Sequence, residues 1–318
     1  MFPSKKAFPM FFRPDADWTA RCEGLAGELL DRYAGKGLRP DNFGFVALRE
    51  NGPGVQPDGF AYRGDWRCYP CSLVKAFHLV HVLHAIETGR LADHAELSRA
   101  MRDMILWSSN TATNYVIDLI TGTTGDTLLS GADFDEWRGK REALNRFFTG
   151  ATWVAFAPDF AQCNISQKLM DDARYGREAQ YAGAAGEYLN ALTPLASARL
   201  FFEIFAGEVP LSDASRRRAQ DILLRDRASA EAKLPHFQVE TFLGGGVPAA
   251  ATLWSKAGQN SWTGAERASY YKHDLIRVAL PGAAPVILCL MTQGKDICED
   301  HPGVFPEIGR LFCDRLLA

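Results

Sequence analysis

The sequence predicts an α/β (α+β) fold: an antiparallel sheet assembled from N- and C-terminal segments, flanked by helices, with a helical region inserted between them. Three observations point there. Segments of strand character lie near both ends of the chain, at 43–69 and 249–294. The middle reads mainly as helix, with apolar residues at helical spacing and glycines near two of the helix ends. A chain of 318 residues, 47% of them hydrophobic and 23% charged, can bury a core without disulfides or metals. One domain is expected, with about 1–70 plus 246–318 forming the sheet part and about 71–245 the helical part.

The elements follow in order. "DWTARCEGLAGELLDRYA" predicts a helix over about 17–34, ended by a Gly-Pro break. "FGFVALRE" and "GFAYRGDWRCY" read as antiparallel strands joined by the Gly/Pro-rich "NGPGVQPDG". Helices are then expected over "SLVKAFHLVHVLHAIETG", "HAELSRAMRDMILWS" and "TATNYVIDLITG". From about 133 to 190 short helical pieces such as "FDEWRGKREALNRFF" alternate with loops, and "WVAFAPDFAQCNISQ" has extended character. Thr193 followed by Pro194 signals a helix start, an N-cap and then a residue whose fixed φ suits the first turn. Another helix is expected over "SDASRRRAQDILLRD", with its arginines on a solvated face. Three strands, "AAATLWSKAG", "ASYYKHDLIRVALP" and "APVILCLMTQG", precede a closing amphipathic helix, "VFPEIGRLFCDRLLA".

Composition narrows the function. A formal net charge of -3 gives no basic surface for nucleic acid or membrane. Prolines and charges interrupt the apolar residues of "MFPSKKAFPMFFRPDADW", so neither a signal peptide nor a membrane span is expected, and the reading is cytoplasmic. Seven scattered cysteines fit a reducing compartment. Cys68 and Cys71 form a C-x-x-C that could serve redox chemistry, but the βαβ pattern that usually carries it is missing, and unpaired thiols are the preferred reading. His78, His81 and His84 recur at helical spacing without an acidic or thiol cluster to complete a metal site, and read as partly buried or solvated helix residues.

Ser72 and Lys75 lie three apart at the start of a helical run, so their side chains share a face. That arrangement places a nucleophile beside a base. Further on, Ser108-Ser109-Asn110 falls where one helix ends and another begins, and Lys256-Ala257-Gly258 closes a strand. S-x-x-K, S-x-N and K-x-G in this order resemble the motifs of the class A serine β-lactamase and penicillin-binding-protein superfamily. The flanks are similar as well: "FAYRGDWRCYPCSLVKAFHL", "AMRDMILWSSNTATNYVIDLITG", "TPLASARLFFEIFAGE" and "YYKHDLIRVALPG". The resemblance covers nearly the whole chain, poorly between about 125 and 190. It implies a serine β-lactamase-like fold with the site in the cleft between sheet and helical parts.

The resemblance implies an acyl-enzyme on Ser72, with Lys75 as base, Lys256 as the cation that lowers its pKa, and Ser108 as proton relay. Asn110 would bond a substrate amide. The backbone N–H groups of Ser72 and Gln259, beside Gly258, would form the oxyanion hole. Ser109 stands where the family has aspartate and Ala257 where it has threonine, which removes a hydroxyl that helps hold a substrate carboxylate. For deacylation the family uses an Ω-loop glutamate. Glu178 lies about the right distance before Thr193-Pro194 but lacks the asparagine that should follow, while Glu187 has Asn190 nearby but lies too close to Pro194.

The expected function is therefore a serine hydrolase acting on a small molecule with an amide or ester carbonyl, a β-lactam included, with no metal or organic cofactor implied. The alternative is a deacylation-deficient penicillin- or ligand-binding protein of the same fold.

Overall fold

The structure is a computed structural model that describes residues 10–171 and 173–317. Residues 1–9, half of the stretch from which no leader is expected, lie outside the described residues.

Five strands form one antiparallel sheet in the order β2-β1-β5-β4-β3. They are β1 (Phe43–Arg49), β2 (Asp58–Tyr62), β3 (Thr252–Gln259), β4 (Tyr271–Ala279) and β5 (Val286–Gln293). The β1–β5 pairing, with Phe45 opposite Leu290, joins the N-terminal hairpin to the C-terminal strands, as expected. β2 is shorter than its sequence suggests. Its apolar pattern runs on past Tyr62, but Arg63 takes a positive φ of 47°, which turns the chain out of the sheet.

Side chains alternate across the sheet and both faces are covered. On one face Val46 and Leu48 of β1 pack with Leu275, Cys289 and Met291 against the helices of the middle region. On the other, Phe43, Phe45 and Ala47 meet α1 (Ala16–Tyr33) and α11 (Val304–Leu316). Asp15 caps α1 by accepting the Trp18 N–H at 2.9 Å.

The middle region contains α2 (Val74–Glu87), α3 (Ala95–Leu106), α4 (Asn110–Thr121), α5 (Gly131–Arg141), α6 (Ala143–Thr149), α7 (Ala157–Phe160), α8 (Gly176–Ala182), α9 (Pro194–Phe205) and α10 (Asp213–Leu223). α2 is buried nearly all round, which makes it the central helix. Thr193 caps α9 through the Ala196 N–H, with Pro194 in the first turn. Where extended backbone was expected at 153–167, the chain forms a 3-10 turn and the short α7. There Trp153, Phe156 and Phe160 pack with Phe148 and Phe77 into an aromatic cluster. Apolar content without alternation is filled here mainly by tight turns around large rings, and extended pairing is confined to one antiparallel bridge between Asn164 and Ala191. Among the described residues no helix is long and apolar enough to cross a membrane.

Candidate active site

Ser72 sits in a 3-10 turn, Cys71–Leu73, that leads directly into α2. Cys71 adopts φ of 48°, a conformation that L-residues seldom take and that is held only where surrounding structure enforces it. β3, an edge strand, comes up against this turn. A Cβ on Gly258 would lie 2.6 Å from the Ser72 nitrogen, so only glycine permits the approach. Asn260 N–H bonds Tyr271 O across the β3–β4 ladder, and the antiparallel alternation therefore turns the Gln259 N–H outward, toward the free edge beside Ser72. The Gln259 N–H thus lies on the strand edge that Gly258 brings against the Ser72 turn.

One turn further on, Lys75 is fully buried. Its Nζ donates to the Ser108 carbonyl, to Ser108 Oγ at 3.2 Å and to Asn110 Oδ1 at 2.8 Å. Lys256, also fully buried, donates from the opposite side to Ser108 Oγ at 3.1 Å. The Ser108 hydroxyl oxygen is therefore shared by the two lysine amines. Burial pushes Lys75 down to about 7, opposed by the nearby Asp171 charge. Lys256 is pushed well down as well, by burial and then by repulsion from Lys75 and Arg225. Two such amines titrate as a pair and resist carrying two protons at neutral pH. On the neighbouring strand, burial raises the Asp274 carboxyl to about 7 against the pull of Arg225 and Lys256. Among the described residues Ser72 Oγ bonds neither lysine. Catalytic contacts of this kind often tighten only when substrate is bound.

The α3–α4 junction that supplies Ser108 and Asn110 is fixed locally. Ser108 has φ of 54°, and Ser109 caps α4 by accepting the Ala112 N–H at 3.1 Å. Serine replaces aspartate at this position without loss of the cap, since both rank high as N-caps.

Sequence reasoning missed what α4 does next. Asn110, Asn114 and Asp118 are four residues apart and occupy one face of the helix. Asn114 clamps the backbone of Leu169 on both sides, accepting from its N–H at 3.0 Å and donating to its carbonyl at 2.8 Å. Asp118 pairs with Lys168 at 2.8 Å. This pinned loop brings Asp171 to the site, where it accepts a hydrogen bond from Asn110 Nδ2. The polar stripe at 110, 114 and 118 was the signal in the sequence, although it does not name its partner.

Glu178 is not brought to the lysine pair. It is buried on α8, where Oε1 accepts from Arg141 at 2.6 Å and Oε2 from the Lys168 N–H at 3.2 Å. Its carboxylate holds the loop together. Glu187 turns to the Ala185 N–H, and Asn190 clamps both backbone groups of Gln167. The preferred reading of the C-x-x-C as unpaired thiols holds. Cys68 and Cys71 are free and buried, and burial drives both thiols upward, away from the reactive thiolate. His78 and His81 are wholly buried, not solvated, and among the described residues no cluster of three or more His, Cys, Asp or Glu could hold a metal ion.

The model of the beta-lactamase enzyme family matches residues 92–316. The chain belongs to that family. The matched range contains Ser108, Asn110 and Lys256–Gly258 and begins after Ser72 and Lys75. Among solved structures, a β-lactamase from Xanthomonas campestris pv. campestris is 18% identical, covers 93% of this chain and 98% of its own, and superposes with a TM-score of 0.65. An ancestral class A β-lactamase is 20% identical over 91% of this chain and 99% of its own, TM-score 0.58. The last common ancestor of Gram-negative bacteria class A β-lactamase is 21% identical over 93% and 98%, TM-score 0.57. At these identities the likeness establishes the fold, a five-stranded antiparallel sheet with helices on both faces. Among curated proteins no sequence matches the chain.

Proposed function

We propose that this β-lactamase-family chain is a serine hydrolase that forms an acyl-enzyme on Ser72, cleaving a β-lactam or another amide or ester. The observation that carries the reading is the Ser108 hydroxyl held between Lys75 Nζ and Lys256 Nζ at 3.2 and 3.1 Å. Lys75, lowered to about 7, has a neutral fraction at physiological pH and can take the Ser72 proton as the hydroxyl attacks the carbonyl. Ser108 then passes a proton to the leaving nitrogen or oxygen. The outward N–H of Gln259 and that of Ser72 receive the developing oxyanion, where one donor is worth about 3 kcal/mol of barrier.

Hydrolysis of the acyl-enzyme needs a base for water. We assign that role to Asp171, whose carboxylate reaches the site through Asn110, and not to Glu178, which Arg141 neutralises. A second reading keeps one observation in its favour: with Glu178 committed to the loop, the protein acylates and holds its ligand as a binding protein.

Intact-mass measurement over time after adding a penicillin and, separately, an activated ester tests both. A serine hydrolase gives an adduct that Ser72→Ala abolishes, decaying in the wild type and persisting in Asp171→Asn. A stable adduct in the wild type supports the binding protein. Unchanged turnover in Ser72→Ala rejects both.

A further inference from the structure

The lysine of the third motif has an additional partner for which the family resemblance gave no expectation. A lysine amine has at most three N–H donors, and three protein acceptors surround Lys256 Nζ: Ser108 Oγ at 3.1 Å, Gln238 Oε1 at 3.2 Å and the Ala257 carbonyl at 2.5 Å. None is left for a substrate. The next residue, Ala257, offers a buried methyl in place of a hydroxyl.

Gln238 is held for this contact. It follows the 3-10 turn Pro235–Phe237 with φ of 56°, one of three non-glycine residues at this site, with Cys71 and Ser108, that take positive φ. The preceding Phe237 ring is buried beneath the Arg225 guanidinium at 5.4 Å, and Arg225 bonds the Ser255 hydroxyl and carbonyl of β3. Arg225 thus ties the Gln238 turn to the strand that carries Lys256. Among the described residues the Gln238 amide nitrogen has no acceptor, and the residue is only half buried.

The surrounding groove agrees. A depression of about 540 Å³ opens beside Ser108 and Asn110, with Trp107 and Leu234 as its apolar walls. Its ionisable lining residues are Asp171 and His236, and none of the lining residues is a lysine or arginine. An anionic substrate entering here would meet the Asp171 charge with no lining lysine or arginine to offset it, an arrangement that disfavours it.

Resting on the acyl-enzyme reading, we propose that Gln238 is a specificity residue: it occupies the Lys256 donor that a substrate carboxylate would need and presents its own amide N–H to a neutral carbonyl. The substrate class is then a neutral ester or amide without a carboxylate near the scissile bond. The chemistry is ordinary acyl transfer. Ser72 Oγ forms the new C–O bond, the leaving alkoxide or amine departs with the proton relayed by Ser108, and water later restores the serine and releases the acid.

The test compares p-nitrophenyl butyrate with p-nitrophenyl hemisuccinate, esters of similar length that differ in a terminal carboxylate. Wild-type kcat/KM should favour the neutral ester by about tenfold or more, and Gln238→Ala, which frees a Lys256 donor, should narrow that ratio by at least about threefold. The ratio is read because a general loss of activity or fold cancels from it, and a thermal melt of the variant accompanies it. Equal rates in the wild type, or a ratio unmoved by Gln238→Ala, would overturn the proposal while leaving the hydrolase reading standing. Absence of a Ser72-dependent adduct with either ester would remove that reading and the proposal together.

Discussion

Lys75 Nζ donates to Asn110 Oδ1 at 2.8 Å, and the amide nitrogen of the same asparagine donates to Asp171, so a single side chain couples the buried amine to the loop carboxylate. The coupling has an observable sign. Burial lowers Lys75 to about 7 while the Asp171 charge acts to raise it. Acylation, which needs the neutral amine, should therefore climb as pH rises through about 7. Asp171→Asn removes the opposing charge and should move this acid limb to lower pH while slowing deacylation. Pre-steady-state bursts with an activated ester across pH read both at once. A limb that stays put or moves upward would separate Asp171 from the lysine.

Arg141 and Glu178 form an ion pair in which both side chains are at most 1% exposed. Glu178→Gln leaves Arg141 charged and buried, which should cost about 3–5 kcal/mol. Urea unfolding measures this. Because the same carboxylate holds the Lys168 N–H in the loop that presents Asp171, the acyl-enzyme lifetime of the folded variant should lengthen less than in Asp171→Asn. The opposite result, intact stability with a persistent acyl-enzyme, would return the deacylation role to Glu178.

The three motifs and the sheet were legible because each is local or periodic. Ser72 and Lys75 share a helical turn, the S-x-N segment lies at a helix junction, and the strands alternate. The loop that presents Asp171 is neither local nor periodic. Its position depends on Asn114 bonding Leu169, 55 residues on, and on Lys168 reaching Asp118 across 50. A separation counted back from Pro194 selects Glu178 because it assumes a loop of family length. His84 is partly buried as expected, but His78 and His81 were misplaced for another reason. Spacing reveals that His78 and His81 share a face of α2, but the helix is buried on nearly every side, so no face is solvated. Gln238 carried no signal in sequence, since its role depends on a left-handed turn packed under Arg225.

The cap at Ser109 predicts a substitution pattern. Its hydroxyl accepts the Ala112 N–H at 3.1 Å and starts the helix that carries Asn110. Ser109→Ala should lower stability by about 1 kcal/mol, and Ser109→Asp should retain it, both residues being good caps. Because the cap also orients Asn110, Ser109→Ala should slow acylation more than Ser109→Asp does. Chemical denaturation and burst rates on the same samples check the pair, and equal stability of the alanine and aspartate variants would contradict the capping role.

Acid sensitivity follows from the two buried imidazoles. Both ring nitrogens of His78 lack partners among the described residues, and His81 stacks on Phe147 with ring centroids 4.3 Å apart. Burial, with lesser repulsion from nearby cations, pushes each down to about 3. The unfolded chain, with histidines near 6.5, then binds protons that the folded chain excludes, so stability should be fully present above about 6.5 and fall as pH drops toward about 3. Each imidazole can add a slope of up to about 1.4 kcal/mol per pH unit in that window. The lowered lysines carry the same sign, but Lys75 contributes its slope between about 7 and its ordinary 10.5, above the histidine window. His78→Leu, an apolar residue in an apolar site, should flatten the decline between pH 6 and 4 without changing the slope above pH 7. Urea midpoints of wild type and variant at pH 7, 6, 5 and 4 measure the difference, and parallel curves across that range would mean His78 is protonated in the folded state.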